Sequence, residues 1–425
     1  MNDIISKMLK FIDNSPTAFH TVKNIEDKLI SAGYKKLSEG EKWQISDGEK
    51  YFTVRNNSSV IAFQKGRENA PFMICATHSD FPLFKIKDSI SGVHARLATE
   101  KYGGLIMYPW FDRPLSIAGR VAVKDGDSII EKLFNIDRDL LVIPSVAIHL
   151  QRGVNEAFSP KPNVDTLPLL SLEKEKNLKS IIAAELSVSE DSIISHDLFV
   201  YPREKGTLIG ADSEFLLSPR IDNLVCTYLS LDAFLNSAPT DCTKVFAVFD
   251  NEEVGSESKQ GAASPFLSDT LERISQDRES CFASLAGGFM ISADNAHAKH
   301  PAHPELSDSV EACVLGGGIV IKHNANQRYT TEAISEAIFK SLCDKSGAKV
   351  QYYSNRADIL GGSTLGTVSN AKVPISTIDI GLPQLAMHSP VETSAVSDAY
   401  EMHKALTAFY SSRLDKKDGK ITIKC

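Results

Sequence analysis

The chain has 425 residues, of which 42% are apolar and 24% are charged, and its formal net charge is −8. This composition is typical of a folded globular protein with about two to three domains, and it excludes a disordered or fibrous chain. The acidic balance and the lack of a basic run argue against nucleic acid and against a polybasic membrane contact as partners.

The terminus and the cysteines favour the cytoplasm. No stretch approaches the roughly 18 consecutive apolar residues that a membrane helix needs, and no basic region followed by an apolar core marks a signal peptide. The seven cysteines are dispersed without a CxxC pair, which is typical of free thiols in a reducing compartment. We therefore expect a cytoplasmic protein with no membrane partner.

The first predicted elements are a helix and three strands. Ser15-Pro16 predicts an N-cap followed by proline at the first helical position. Apolar residues at helical spacing continue the pattern, and Gly33 predicts its end. Residues 51–55, 59–63 and 72–76 are short apolar runs. The last of them lacks alternation, which predicts a strand buried on both faces.

Residues 81–205 differ in texture from the rest of the chain. Short β-like runs alternate with Gly, Asp and Pro turns, and the one helical pattern lies near 172–186. The β-like runs are 119–123, 128–130, 141–143 and 146–150. This pattern predicts a smaller β-rich domain inserted into a larger one.

Helices and strands alternate again from residue 206 onward. The sequence predicts a helix over 224–235 and strands over 245–249, 289–292 and 375–380. This alternation indicates an α/β/α sandwich with a largely parallel sheet, formed by residues 1–80 and 206–425 as one discontinuous domain. The Lys and Asp residues at 415–419 predict a solvated tail.

Acidic and histidine side chains follow the predicted strands of this sandwich. In an open α/β sheet, ligands bind outside the carboxyl ends of the strands, so these groups can converge on one crevice. They are His78, Asp80, Asp222, Glu252, Glu253, Asp294 and His388.

This set of residue types indicates a catalytic metal site. Histidine and carboxylate without thiolate suit Zn²⁺ or a similar divalent ion. Two metal ions need one shared carboxylate and two further ligands each. Five residues meet that count: His78, Asp222, Glu253, Asp294 and His388.

Two further carboxylates have their own predicted roles. Glu252 is left over as the base that takes the proton of a water held between the metal ions. Asp80 can accept the other imidazole N–H of His78 and fix its tautomer.

Each element also has a simpler explanation. An HxD pair is common in surface loops, a Glu-Glu pair is common on solvated helix faces, and His388 alone could be a structural loop histidine. The pair Glu252-Glu253, however, directly follows an apolar strand and is succeeded by Val254-Gly255. The combination, with each group after its own strand, favours an active site.

These residues resemble the aspartyl aminopeptidases, a family of cytosolic two-zinc exopeptidases. The matching segments run in order along essentially the whole chain. They are Thr77-His78-Ser79-Asp80, Ala147-Ile148-His149-Leu150-Gln151-Arg152, Ser218-Pro219-Arg220-Ile221-Asp222-Asn223-Leu224, Asp250-Asn251-Glu252-Glu253-Val254-Gly255-Ser256, Ser292-Ala293-Asp294-Asn295-Ala296-His297-Ala298, Ile321-Lys322, Asn326-Gln327-Arg328-Tyr329 and Met387-His388-Ser389.

The resemblance implies a role for each metal ligand. Asp222 would bridge two Zn²⁺ ions per subunit, for which Co²⁺ or Mn²⁺ can substitute. His78 and Asp294 would complete one site, and Glu253 and His388 the other. Glu252 would be the general base in hydrolysis of the N-terminal residue of a peptide.

The resemblance also implies an assembly. The family forms a tetrahedral dodecamer, which would be a closed shell that admits peptides. Residues 81–205 would be a dimerisation domain, and its His149 would reach a neighbouring subunit's site to stabilise the tetrahedral intermediate. A structural histidine on a β-strand is the simpler explanation of His149.

Substrate selection follows from the same resemblance. Lys322 matches the basic residue that selects peptides beginning with Asp or Glu, although a lysine in an apolar strand often only extends its end to water. The turn Gly361-Gly362-Ser363-Thr364 resembles the loop whose backbone binds the peptide.

Three alternatives remain at this point. A carboxypeptidase or deacylase of the same fold usually carries its extra domain after the Glu pair, whereas here the insertion lies between His78 and Asp222. A broad-specificity or glutamyl tetrahedral aminopeptidase shares that insertion, but the His149-Leu150-Gln151-Arg152 segment argues against it. A non-catalytic shell or binding protein would be expected to lose a ligand or the base, and all six positions are intact.

Overall fold

The computed structural model describes residues 2–359 and 361–424. Within them no helix combines the length and apolarity needed to cross a bilayer. The helices of the described chain are α1 (Asn2–Asp13), α2 (Ala18–Ser31), α3 (Leu178–Leu186), α4 (Ile221–Asn236), α5 (Phe266–Ser275), α6 (Arg278–Gly287), α7 (Ala333–Ser346), α8 (Leu365–Asn370) and α9 (Val396–Tyr410).

The strands fall into three sheets and a terminal hairpin. They are β1 (Lys35–Lys36), β2 (Lys50–Arg55), β3 (Ser59–Gln64), β4 (Phe72–His78), β5 (Leu83–Ile90), β6 (Ala95–Tyr102), β7 (Leu115–Asp125), β8 (Ser128–Asn135), β9 (Leu169–Ser171), β10 (Ile193–Pro202), β11 (Thr207–Ile209), β12 (Phe215–Ser218), β13 (Thr243–Phe249), β14 (Phe289–Ala293), β15 (Ala296–His297), β16 (Ile319–His323), β17 (Val350–Ser354), β18 (Thr377–Gly381), β19 (Pro383–Leu385), β20 (Glu392–Ala395), β21 (Arg413–Lys417) and β22 (Lys420–Lys424).

The nine-stranded sheet has the order β1-β2-β3-β13-β4-β14-β18-β16-β17. Its adjacent strands β13, β4, β14 and β18 pair in parallel, so their carboxyl ends lie at one edge. Strand β16 pairs antiparallel with β18. A separate six-stranded antiparallel sheet, β8-β7-β10-β5-β6-β9, is built from strands between residues 83 and 202. A five-stranded sheet, β11-β12-β20-β19-β15, lies beside the start of α4, where Glu392 of β20 accepts from the amide of Asp222.

Strand β4 shows why the apolar runs lack alternation. Met73 and Cys75 pack in one apolar cluster with α1, α2, α4, α7 and α9. Phe72, Ile74 and Ala76 pack in a second cluster with α5, α6 and α8. Both faces of the sheet are therefore covered by helices, and each large side chain buried there contributes about 1.5–3 kcal/mol. The α/β/α sandwich predicted from the sequence is confirmed.

The prediction that Ser15 is the N-cap of a helix whose first residue is Pro16 is wrong. That helix, α2, begins at Ala18 with Thr17 as its N-cap. The hydroxyl of Ser15 instead donates to the carbonyl of Phe11, 2.7 Å away, in the last turn of α1. A short polar side chain between two helices can serve either of them, and here it serves the preceding one.

Two other local predictions also fail. Residues 146–150 do not form a strand: 146 and 147 are irregular and 148–150 form a turn, and no strand among the described residues pairs with their backbone. The predicted tail at 415–419 belongs instead to the hairpin of β21 and β22. Leu414 of that hairpin is buried, and Lys416 donates to the carbonyl of Gly288 at 2.7 Å.

Candidate active site

The predicted site residues meet at the carboxyl edge of the four parallel strands. His78 is the last residue of β4, and Asp294 directly follows β14. Glu252 and Glu253 form a short 3-10 turn just after β13. Asp222 stands at the start of α4, where its backbone is not yet helical. The loop after β19 brings in His388.

Asp222 lies at the centre of the cluster. Its Oδ1 is 3.4 Å from Nε2 of His78, which is in turn 3.4 Å from Oδ1 of Asp294. Its Oδ2 is 3.7 Å from Nε2 of His388, which is 3.3 Å from Oε2 of Glu253. Each oxygen of one carboxylate thus faces a different histidine–carboxylate pair.

The two imidazole rings present the same nitrogen to this centre. Nδ1 of His78 bonds to the backbone carbonyl of Asp80 at 3.0 Å, and Nδ1 of His388 bonds to that of Gly104 at 2.9 Å. Because a carbonyl can only accept, both Nδ1 atoms carry the hydrogen. In the neutral form that binds a metal ion, Nε2 of each ring holds a lone pair that faces carboxylate oxygens.

This arrangement fits divalent zinc. Zinc ligands at about 2.0–2.1 Å in a tetrahedral arrangement lie about 3.3–3.4 Å apart, close to the spacings found here. Ligand atoms of His78, Asp222 and Glu253 all lie within 4.8 Å of one another. Oδ1 of Asp222 and Oε1 of Glu253 are buried without a hydrogen-bond partner. Burying such oxygens without a partner destabilises the fold, and a bound cation would remove that cost.

Asp80 fixes the turn that carries the two glutamates. Its Oδ1 accepts from the amide of Glu252 at 3.1 Å, and its Oδ2 accepts from the amide of Glu253 at 3.2 Å. The sequence predicted that the carboxylate would instead accept from His78. That carboxylate is 3.5 Å from Nδ1, whereas the backbone carbonyl of the same residue is closer.

Glu252 is suited to accept a proton. Burial is the largest effect on the pKa of Glu252, which is raised to about 8. The positive charge of His78 lowers this pKa, whereas the negative charges of the nearby aspartates raise it further; they are Asp294, Asp80 and Asp222. Divalent cations in the cluster would lower this value towards the neutral range, where a general base is most effective.

Lys322 is buried on β16 beside the cluster. Its ammonium is 3.3 Å from Oδ2 of Asp294 and 5.4 Å from the ring centroid of Tyr329. Burial alone would lower the pKa of Lys322, but its interactions with Asp294 first, then Tyr329, Asp379 and Asp222, outweigh burial and raise it. The lysine is therefore a fixed cation at the edge of the site.

The glycine turn is held in place by a buried carboxylate. Oδ1 of Asp379 accepts from the hydroxyl of Thr364 at 2.6 Å, and Oδ2 accepts from the amide and hydroxyl of Thr330 at 2.6 and 2.7 Å. Gly361 lies so close to Asn355 that a Cβ would be 2.1 Å from Oδ1 of that side chain. Gly362 has open space around it.

His149 does not join the cluster within one subunit. It lies in an exposed turn, and within the described residues it makes no hydrogen bond or ion pair. Its apolar neighbours Ile148 and Leu150 are also exposed, by 45% and 83%.

Glu392 was not found from the sequence. Its Oε2 accepts from the amide of Asp222 at 3.0 Å, and its Oε1 accepts from the amide of His388 at 2.7 Å. Burial raises its pKa well above the usual range, and the charge of Asp222 adds to this. Its position four residues after His388 was a weak signal.

Comparison with known proteins assigns the chain to a family. Residues 11–410 match the family described as Aminopeptidase I zinc metalloprotease (M18). The chain belongs to the M18 aminopeptidase family. It is 42% identical over 427 residues to a probable M18 family aminopeptidase 2 of Clostridium acetobutylicum, covering 96% of this chain and 99% of that protein.

Solved structures agree with the M18 assignment. A chain of the Ape4 and Nbr1 complex matches with a TM-score of 0.93 and 35% identity, covering 96% of this chain and 86% of the other. The mApe1 dodecamer of S. cerevisiae matches with a TM-score of 0.83 and 26% identity, covering 96% of each chain. The protein is thus a zinc metalloexopeptidase of the aminopeptidase type, and the predicted enzyme class is confirmed.

Proposed function

We propose that this M18 enzyme uses two zinc ions per subunit to remove N-terminal Asp or Glu from peptides. The observation that carries the two-metal proposal is the placement of Asp222, whose two oxygens face two separate histidine–carboxylate pairs. His78 and Asp294 would hold one ion, and Glu253 and His388 the other. When bound, zinc supplies Lewis-acid polarisation of the scissile carbonyl and makes a nearby water more acidic.

Glu252 is proposed as the proton carrier. Its carboxylate takes a proton from the attacking water and delivers it to the leaving amine nitrogen. Asp80 supports this role because it accepts from the backbone amides of both glutamates and so fixes the direction of the Glu252 side chain. With His78, Asp80 contributes its backbone carbonyl and keeps the ring in the tautomer that leaves Nε2 free.

Lys322 supports the preference for an acidic N-terminal residue. A buried cation beside the site can pair with a substrate carboxylate in a region where water is excluded. The backbone of Gly361 and Gly362 would line the peptide's path, held by Asp379 through Thr364. A broad-specificity or glutamyl aminopeptidase is the second candidate, because Lys322 is already engaged with Asp294.

An oligomer is proposed on separate grounds. The exposed apolar side chains that flank His149 are unfavourable in water unless another surface covers them. The related mApe1 is described as a dodecamer. We propose that residues 81–205 form a dimerisation domain within a tetrahedral dodecamer and that His149 reaches a neighbouring subunit's site, where it would donate to the tetrahedral oxyanion.

The proposed compartment is the cytoplasm, and the proposed partners are peptides and further copies of the chain. Six cysteines in the described part of the chain are buried free thiols, as expected under reducing conditions. They are Cys75, Cys226, Cys242, Cys281, Cys313 and Cys343.

The test is an assay across aminoacyl chromogenic substrates carrying Asp, Glu, Leu or Lys, each with a free or an acetylated N-terminus. We expect hydrolysis of the free Asp and Glu substrates to dominate, to be abolished by a chelator and to return on adding Zn²⁺, Co²⁺ or Mn²⁺. Equal turnover of Leu and Lys substrates would favour the broad-specificity candidate. One zinc ion per subunit in the active protein would contradict the two-metal proposal.

A further inference from the structure

The segment Tyr102–Ile106, which begins at the last residue of strand β6 in the six-stranded sheet, contacts the candidate active site at several points. We name it the brace. Tyr102 donates its hydroxyl to Oδ2 of Asp80 at 2.7 Å. Gly104 accepts at its carbonyl from Nδ1 of His388 at 2.9 Å, and the amide of Ile106 donates to the carbonyl of the same histidine at 3.1 Å.

His388 depends on these contacts for its conformation. It has a φ of 67°, a left-handed backbone conformation that residues other than glycine adopt at a cost. Such a conformation persists only where surrounding groups hold it. The brace provides two of its ties, one to the ring and one to the backbone carbonyl, while Glu392 provides a third at the amide.

Tyr102 acts on the glutamate turn through Asp80. Its hydroxyl also accepts from Nδ2 of Asn251 at 2.8 Å, so it joins the carboxylate to the residue just before Glu252. The carboxylate of Asp80 in turn accepts from the amides of both glutamates. One phenol from the six-stranded sheet thereby completes the network that directs the proposed base.

Gly103 is the residue at which the backbone of the brace comes close to Glu253. It has a φ of +74°, and a Cβ added there would lie 3.2 Å from Cβ of Glu253 and 3.3 Å from Cγ of Pro82. Only glycine combines this conformation with this approach. The brace therefore approaches Glu253 and His388, and among the described residues none of its hydrogen bonds is made to His78 or Asp294.

We propose that the brace is a positioning device by which the six-stranded sheet fixes the Glu253 and His388 side of the metal centre and the direction of Glu252. The inference rests on the two-zinc function proposed above. It gives the six-stranded sheet a catalytic contribution within its own subunit, separate from any contact between copies. Tyr102 and Gly103 are positioning residues, since each acts through a neighbour.

The test uses two variants of the full-length protein, each with a matched control. Tyr102→Phe removes the hydroxyl and keeps the ring, which packs on Phe199. Tyr201→Phe is its control, since that hydroxyl donates to Asn135 at 2.9 Å and accepts from Arg203 at 2.9 Å, and neither partner is a proposed metal ligand or base. Gly103→Ala is compared with Gly126→Ala, which has a φ of +59° and open space around it.

Two measurements are made on each protein: zinc affinity by competition with a chromophoric chelator, and kcat and KM separately. We expect Gly103→Ala to lower the affinity for one of the two zinc ions about 10- to 100-fold and to leave the affinity for the other unchanged. Tyr102→Phe should lower kcat about 10-fold with little change in KM, as loss of a group that orients a catalytic residue does. Both controls should behave as the wild type does.

The outcomes separate this inference from the proposed function. If the wild type binds two zinc ions and both variants keep its affinities and its kcat, the brace inference is wrong while the two-zinc proposal stands. If Gly103→Ala lowers the affinity for both zinc ions equally, the brace inference is also wrong. If Gly103→Ala does not fold, Tyr102→Phe decides alone, because its ring packing is retained. A wild type without two bound zinc ions contradicts the proposed function itself.

Discussion

Nζ of Lys322 lies 3.3 Å from Oδ2 of Asp294, so the cation proposed to select acidic substrates also contacts a proposed metal ligand. These two roles predict different results for Lys322→Met. Loss of substrate selection lowers kcat/KM for Asp substrates more than for Leu substrates, whereas loss of support for Asp294 lowers both equally. We expect the Asp-to-Leu ratio to fall about 30-fold, which corresponds to about 2 kcal/mol.

Lys244→Met is the matched control for this prediction. Lys244 is buried on β13 of the same sheet and donates to Oγ of Ser237 and to the carbonyl of Ala238. Its loss should lower stability and leave the substrate ratio unchanged. An unchanged ratio in Lys322→Met would leave that lysine as a partner of Asp294 only.

The sequence predicted the parts of this site that depend on chain order. His78 ends one buried strand and Asp294 directly follows another, and parallel pairing brings such positions together whatever the details of packing. The Lys322 contact could not be predicted in this way, since it depends on the antiparallel pairing of β16 with β18. Gly104 and His388 are 284 positions apart, and no local pattern relates them.

The failed predictions have a shared physical cause. Local propensity describes what a segment favours alone, whereas its final state depends on available partners. Residues 146–150 have the apolar pattern of a strand but no neighbour to pair with, and the residues at 415–419 have the charge of a tail but pair with β22. Glu392 was missed for a related reason, because one of its two backbone partners, the amide of Asp222, is 170 positions away.

Glu252→Gln should separate catalysis from metal binding. The amide cannot accept the proton of the attacking water, so we expect kcat to fall about 10²- to 10⁴-fold. Zinc content, measured by elemental analysis, should stay at the wild-type value, since Glu252 is not among the proposed ligands. Glu257→Gln, an exposed change in the same loop, should have no effect. Hydrolysis at the wild-type rate in Glu252→Gln would exclude this residue as the base.

Glu392→Gln should weaken zinc binding without touching a ligand. Each carboxylate oxygen of Glu392 accepts from one backbone amide, that of Asp222 or that of His388. An amide side chain presents N–H to one of these donors, so one ligand segment must shift. We expect about a 10- to 100-fold loss of affinity for at least one zinc ion, measured by chelator competition.

Asp398→Asn makes the same chemical change away from the metal centre. The two oxygens of Asp398 accept from the amides of Gly316 and Gly318 at 2.8 and 2.9 Å. This variant should lose about 1–3 kcal/mol of stability and keep the wild-type zinc affinities. Equal zinc affinities in Glu392→Gln and the wild type would show that the ligand segments do not need the carboxylate.

His149 is best tested by mixing inactive subunits. His149→Ala and Glu252→Gln should each be about 100-fold or more less active than the wild type. If His149 serves a neighbouring subunit, a Glu252→Gln subunit can donate its intact His149 to a partner that retains Glu252. Co-expressed, doubly tagged oligomers should then exceed either parent about 10-fold, part of the oxyanion contribution. Mixed oligomers no more active than the parents would contradict an action across subunits.

His20 should make stability depend on pH below neutrality. Burial on α2 lowers its pKa from 6.5 to about 4, with the positive charge of Arg220 adding to the effect, and its Nδ1 is 2.8 Å from the hydroxyl of Thr17. The unfolded chain therefore binds a proton at a higher pH than the folded chain does. The contribution of neutral His20 to the free energy of unfolding is complete above about pH 6.5 and is lost as the pH falls towards 4.

The expected loss between pH 7.5 and 5 is about 2 kcal/mol from this one group. His20→Gln does not titrate. In chelator-treated protein, the urea midpoint of the wild type should therefore fall more over this pH range than that of the variant. His303→Gln alters an exposed histidine and should follow the wild type. Parallel pH profiles for the wild type and His20→Gln would mean that His20 gains its proton in the folded chain as readily as in the unfolded one.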